Sequence, residues 1–221
     1  LILPLINRYK NIYYIYQNNT GLSSAQNKGI LAGKNHYIAF LDSDDVWKNN
    51  KLIEQFKIFE KSKDQKLGVV YCNYSDIDEE GKRINFPSYR LNSKNNGDIQ
   101  DKLIKGNIVA SSGSGVLVKR ECLEKVGLFD ELLPTCEDWD MWLRISKQYH
   151  YDYVQKKLVL IRRTKASMST NKTRMCLGIG KLMEKHQSLL HSRQARKYFQ
   201  KFLLKQIHRE YPDVKIVHYL K

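Results

Sequence analysis

The chain has 221 residues, 42% of them hydrophobic, and a formal charge of +15, enough for one sizeable core or one domain with an appended tail. No run of about 18 apolar residues occurs, so no segment reads as a membrane span, and no charged-then-apolar leader marks a secretory signal. Cys72, Cys122, Cys136 and Cys176 show neither a CxxC pair nor zinc-finger spacing, which excludes a disulfide framework and predicts reduced thiols in the cytosol.

The chain opens without Met on LILPLINRYKNIYYIY, which reads as the end of a helix followed by a strand and suggests that an amino-terminal piece is missing. Residues 12–16, IYYIY, are β-branched and aromatic and run into the turn cluster Gln17 to Gly21, so a strand is expected there. Ser23 or Ser24 is placed to cap the next helix, which Gly33 stops. The stretch from His36 to Trp47, HYIAFLDSDDVW, then breaks from an apolar run into Asp42, Asp44 and Asp45. Strand, helix and strand in about 30 residues predict a βαβ unit, hence a buried parallel strand delivering acids to a sheet edge. Carboxylates at such an edge suit a hard divalent cation, which prefers oxygen ligands and shares them with a substrate's phosphates. The same residues equally suit a turn with an N-cap.

Leu52, Ile53, Phe56 and Phe59 recur at helical spacing and are expected to face the core. LGVVYCNYSDID reads as a strand, DEEGK as a turn, and residues 84–98 as a mobile loop over the site. A short helix closed by Gly106 follows, then a loop, strand and helix over residues 111–127; the small residues Ser111 to Gly115 read as a tight strand entry, with close approach to a ligand as the alternative. Glu137, Asp138 and Asp140 fall in one helical turn beside Trp139 and Trp142, more acid than capping alone requires. YVQKKLVLIRR is a strand. Residues 171–221 hold 12 Lys+Arg against 3 Asp+Glu, forming amphipathic helices whose charge favours anionic partners such as membrane phospholipids, a polyprenyl diphosphate, another protein or nucleic acid. No GxGxxG or Walker motif is present.

In order and spacing, NxG, NKGI, FLDSDDVW, KRECLEKVGLFDE and EDWDMWLR resemble the GT-A-fold glycosyltransferases of family 2 over about residues 1–170. The resemblance implies an α/β fold, a GT-A (Rossmann-like) mostly parallel central sheet with flanking helices and a C-terminal helical tail. It divides the chain into a transferase domain, 1–170, and a basic tail, 171–221. It also implies an inverting transfer from a nucleoside-diphosphate sugar, a UDP-sugar foremost, to a glycan or polyprenyl-linked acceptor. The setting is the cytoplasm, with the tail offering peripheral contact to the inner membrane face.

By the same resemblance Asp42, Ser43 and Asp44 form an Asp-x-Asp element for Mn2+ or Mg2+, with Asp44 the direct ligand and Asp42 nearer the ribose. Asp138 is the general base. Gln26, Asn27, Asp42, Ser43, Asp45, Glu137, Trp139 and Arg162 fall among the donor-binding positions. Arg162 and Ser167-Met168-Ser169 match a closing loop in which Thr164 replaces a His. The family's opening strands, SVIIPTYN and one ending in DDGSTD, have no counterpart here, which leaves half of the nucleotide pocket outside the chain.

Three rival readings remain. A haloacid-dehalogenase-type phosphatase would use the first Asp of Asp-x-Asp-x-Val as nucleophile but gives no role to EDWDMWLR. A nucleic-acid binder fits the charge, yet the basic residues gather in a tail rather than interleaving with aromatics on a sheet, so no nucleic-acid partner is expected. A catalytically inactive transferase-like binding module is the third.

Overall fold

The computed structural model describes residues 3–85, 96–109, 113–164 and 171–188, with 196, 197, 200 and 204. The expected loop at 84–98, the Ser167-Met168-Ser169 segment and most of the basic tail fall largely or wholly outside these residues. Among the described residues no helix is long and apolar enough to cross a membrane.

Two layers of helix enclose one sheet. After α1 (Leu3–Arg8) and α2 (Leu22–Ala32) come β1 (Tyr37–Ala39), β2 (Val46–Trp47), α3 (Lys51–Lys61), β3 (Leu67–Ile77) and β4 (Arg83–Ile84). They are followed by α4 (Gln100–Leu103), β5 (Val116–Lys119), α5 (Arg120–Val126), α6 (Glu137–Ser146), β6 (His150–Arg162) and α7 (Lys172–Lys185). The strand order is β1-β5-β3-β6-β2, with β4 paired to the far end of β3.

β3 is the central strand, and its first six residues are all buried. A near-continuous apolar run of this kind is what a strand covered on both faces requires. Val69 and Tyr71 face a core shared with Trp142, Met141 and Ile145 of α6. Val70 and Cys72 face Val154, Leu158 and Val159 on the side of α3.

The fold is α/β as expected, but the pairing around β1 is not. β3 and β6 run parallel, whereas β1 with β5, β3 with β5, and β2 with β6 are antiparallel. Residues 12–16 form no strand. Tyr13 is 81% and Tyr16 72% exposed, and β propensity without a hydrogen-bonded neighbour does not make a strand. β1 is accordingly half-buried rather than a covered parallel strand.

Two further expectations change at helices. α2 starts after Gly21 at φ 99° with no side-chain cap, so neither Ser23 nor Ser24 caps it. In α3 Phe59 packs against the core as expected, with Ile58 beside it, but Leu52, 43% exposed, Ile53, 51% exposed, and Phe56 face outward, while Lys51 and Gln55 are fully buried. Gln55 Nε2 donates to the carbonyls of Val70 (2.7 Å) and Gly115 (2.9 Å), and Lys51 Nζ donates to that of Val116 (3.3 Å). These buried polar side chains are thereby satisfied by backbone carbonyls. The outward stripe lines a groove of about 700 Å³ with Tyr37 and Ala39 of β1.

α7 packs into the same core, where Ile179 and Leu182 are fully buried.

Candidate active site

β1 delivers the chain to a tight turn closed by Asp45 N–H to Asp42 O at 3.1 Å. Asp42 and Asp45 turn inward, while Ser43 and Asp44 form its exposed tip. Ser114, fully buried in the turn Gly113–Gly115, organises this corner. Its hydroxyl accepts from the Asp42 amide at 3.0 Å, and its carbonyl accepts from Trp47 Nε1 at 2.7 Å.

Arg162, at the end of β6, closes the other side. Its amide donates to Asp45 Oδ1 (3.1 Å) and its Nε to the Asp44 carbonyl (3.0 Å), while Nη1 donates to the carbonyls of Asp78 and Glu79, both at 2.8 Å. Its guanidinium thus ties the acidic turn to the connection between β3 and β4.

The second acidic group comes from α6. Cys136, immediately before it, has φ 66°, a left-handed conformation that costs a non-glycine residue about 1–2 kcal/mol. That corner is held by α7. Thr135 Oγ1 donates to the Arg174 carbonyl (3.2 Å), Arg174 Nε donates to the Pro134 carbonyl (3.0 Å), and Cys136 Sγ lies 3.7 Å from Met175 Sδ. Gly178 lets the helix approach: a Cβ there would collide with Thr135 Oγ1 and stand 2.8 Å from its carbonyl oxygen.

The corner aims Glu137 and Asp138 at the acidic turn, and the electrostatics register the convergence. Burial, then Asp45, Asp44 and Asp138 push the Asp42 carboxyl up to about 6, with Ser114 opposing. Burial also raises Asp45. Burial, Asp138 and Asp42 push Glu137 up to about 7, against the pull of Arg174. Acids from two distant segments therefore lie close enough for their like charges to oppose ionisation.

The chemistry of this donor set suits a hard cation. Its oxygens are all carboxylate, and its raised acids mark an excess of negative charge that a divalent ion would relieve. No three His, Cys, Asp or Glu side chains among the described residues form a chelating group by themselves.

Other expected donor contacts are engaged by the fold. Asn27 is buried and clasps the backbone of Phe129 in both directions (2.9 and 2.8 Å) while donating to Glu131 Oε1 at 2.9 Å. Trp139 is a core residue whose Nε1 donates to the Leu103 carbonyl at 2.8 Å. Gln26 remains at the pocket side: its buried Oε1 has no hydrogen-bond partner among the described residues, and its Nε2 lies near Gly113. Two contributors escaped the sequence reading. Ser114 was visible only as one Ser in a small-residue run. Asn107, which donates to Asp138 Oδ2 at 3.0 Å, carried no local signal.

Residues 2–200 match the family described as "Glycosyltransferase like family 2". The chain belongs to that family. An uncharacterized glycosyltransferase of Rickettsia typhi is 36% identical over 143 residues, covering 62% of this chain and 44% of the relative. Two solved structures share the fold. S. aureus TarS 1–349 in complex with UDP aligns with TM-score 0.57 at 13% identity, over 97% of this chain and 62% of that one. The mannosyltransferase PcManGT from Pyrobaculum calidifontis, in complex with GDP-Man and Mn2+, aligns with TM-score 0.53 at 15% identity, over 89% of this chain and 56% of that one. The chain thus spans less than half the length of the Rickettsia relative, and at these identities the structures show the fold.

Proposed function

We propose that the domain transfers a sugar from a nucleoside-diphosphate sugar to an acceptor hydroxyl with inversion at the anomeric carbon. The observation that supports this reading is the mutual electrostatic opposition of Asp42, in the acidic turn, with Glu137 and Asp138 at the start of α6. Asp44, at the exposed tip, and Asp42 beside it would hold a divalent cation, Mn2+ or Mg2+. When bound, such an ion neutralises the charge that develops on a departing diphosphate.

The chain's own residues do the rest. Ser114 and Arg162 fix the acidic turn, so its carboxylates are oriented before substrate arrives. Asp138 receives the proton of the acceptor hydroxyl as the oxygen attacks the anomeric carbon. The bond from that carbon to the diphosphate oxygen breaks on the opposite face, and the electron pair leaves with the nucleotide. Glu137, pushed up to about 7, exchanges its proton near neutrality and so limits the negative charge next to the base.

An anionic or lipid-linked glycan acceptor is favoured by the +9 charge of residues 171–221, and a cytosolic setting by the four free cysteines. The reading is tested by a thermal-shift series of nucleoside diphosphates and their sugars with and without manganese, followed by release of nucleoside diphosphate from any stabilising donor. Cation-dependent stabilisation by a nucleotide sugar is expected. Turnover of simple phosphate esters without nucleotide-sugar binding would overturn it.

A further inference from the structure

We infer that Asn107 is a positioning residue for Asp138, orienting the carboxylate that receives the acceptor's proton; this rests on the reading of Asp138 as the base. Asp138 stands in the first turn of α6, where Oδ1 accepts from the amide of Trp139 at 2.7 Å. Oδ2 accepts from Asn107 Nδ2 at 3.0 Å. Bonds at both oxygens fix the plane of the carboxylate, as in catalytic sets where a third group orients the base.

The Asn107 amide is itself oriented, because its Oδ1 accepts from the Val109 amide at 3.3 Å. A flipped amide would set oxygen against the Asp138 carboxylate and nitrogen against an N–H donor. The loop carrying Asn107 is anchored to the same helix by the Trp139 Nε1 bond to Leu103. Buried Leu103, Ile104 and Val109 on either side hold it in the core. Asn107 therefore spans two rigid attachments with one polar contact aimed at Asp138. The groups that act electrostatically around this carboxylate include Glu137, Asp42 and, through Glu137, Arg174. A neutral donor orients the base among them without adding charge.

The experiment compares Asn107→Ala and Asn107→Ser with the parent chain by two measurements. In the first, 13C-labelled aspartate carboxyls are titrated by NMR, which needs no turnover. Loss of a donor to the ionised carboxylate moves the Asp138 midpoint to higher pH in Asn107→Ala, and the Ser hydroxyl restores part of it. In the second, transfer or donor hydrolysis is followed: kcat falls about 10- to 100-fold, the range of one hydrogen bond to a charged group, while donor KM stays within about twofold.

A merely structural role would lower thermal stability and donor binding together and leave the Asp138 midpoint in place; that result overturns the inference. Asp138→Asn separates the two levels. If it abolishes transfer while Asn107→Ala changes neither midpoint nor kcat, the positioning role is wrong and the base stands. If Asp138→Asn transfers at the parent rate, the base assignment fails and the positioning role with it.

Discussion

Replacing Asp140 by Asn probes how firmly α7 holds the helix that carries Asp138. Asp140 is fully buried two residues beyond Asp138. It accepts from Arg144 Nε at 2.9 Å, Lys185 Nζ at 3.1 Å and His186 Nε2 at 2.8 Å. Arg144 extends the network to the carbonyls of Val126, Gly127 and Leu128, and Lys185 to Asp130 at 2.6 Å.

Burial alone would raise the Asp140 carboxyl, but His186, Arg144 and Lys185 outweigh it and hold it down at about 2, from 3.8. At 1.36 kcal/mol per pKa unit the ionised form contributes about 2 kcal/mol at neutral pH. Asn keeps the volume and loses the charge, leaving the cations at this site without their shared anion. A loss of about 2–3 kcal/mol is expected. In urea melts, with a slope of about 2 kcal/mol per molar, the midpoint falls by about 1 M.

The pH dependence has a definite sign. The folded pKa is depressed, so the contribution is complete above 3.8, declines as pH falls from there, and is gone below about 2. Parent minus variant stability should therefore shrink across that window. An Asp140→Asn midpoint equal to the parent's at pH 7, or a difference that persists at pH 2, would refute this account of the network.

Asp138→Asn should leave donor binding intact and lower transfer by about 10²- to 10⁴-fold, measured as initial rates at saturating donor; a parent-like rate removes it as the base. Asp44→Ala should abolish the manganese-dependent part of donor stabilisation in a thermal-shift titration, and an unchanged manganese response would move the cation elsewhere. Gly178→Ala should drive α7 off Thr135, destabilising by about 1–3 kcal/mol and slowing transfer through the Cys136 corner. A melt and rate equal to the parent's would show that the corner does not need α7.

Much of this arrangement could be read in the sequence where one physical demand dominates. β3 and α6 were legible because burial on both faces, or on one helical stripe, dictates their residue pattern. The acidic turn was legible as a turn because three carboxylates after an apolar run end a strand, whether they cap a helix or hold a ligand. Phe59 of α3 was read correctly, but Leu52, Ile53 and Phe56 were misread because Lys51 and Gln55, four apart, look like a solvent-facing pair until strand carbonyls are placed beneath them. β1 was misread because adjacency in the chain does not reveal that β5, far downstream, supplies its antiparallel neighbour. Asn27 and Trp139 sit within site motifs yet serve packing, since hydrogen bonds to Phe129 and Leu103 depend on contacts invisible to spacing. Asn107 had no local signature, because its role exists only once α4 and α6 lie side by side.

The inverted face of α3 carries one more implication. The first half of the helix is seated by polar grips on Val70, Gly115 and Val116 with Leu52 and Ile53 outward, so water exclusion stabilises it mainly through Ile58 and Phe59 in its second half. It should detach in small local openings before the central strands exchange their amide protons. Each such opening would release the backbone next to Ser114, and with it the floor beneath Asp42.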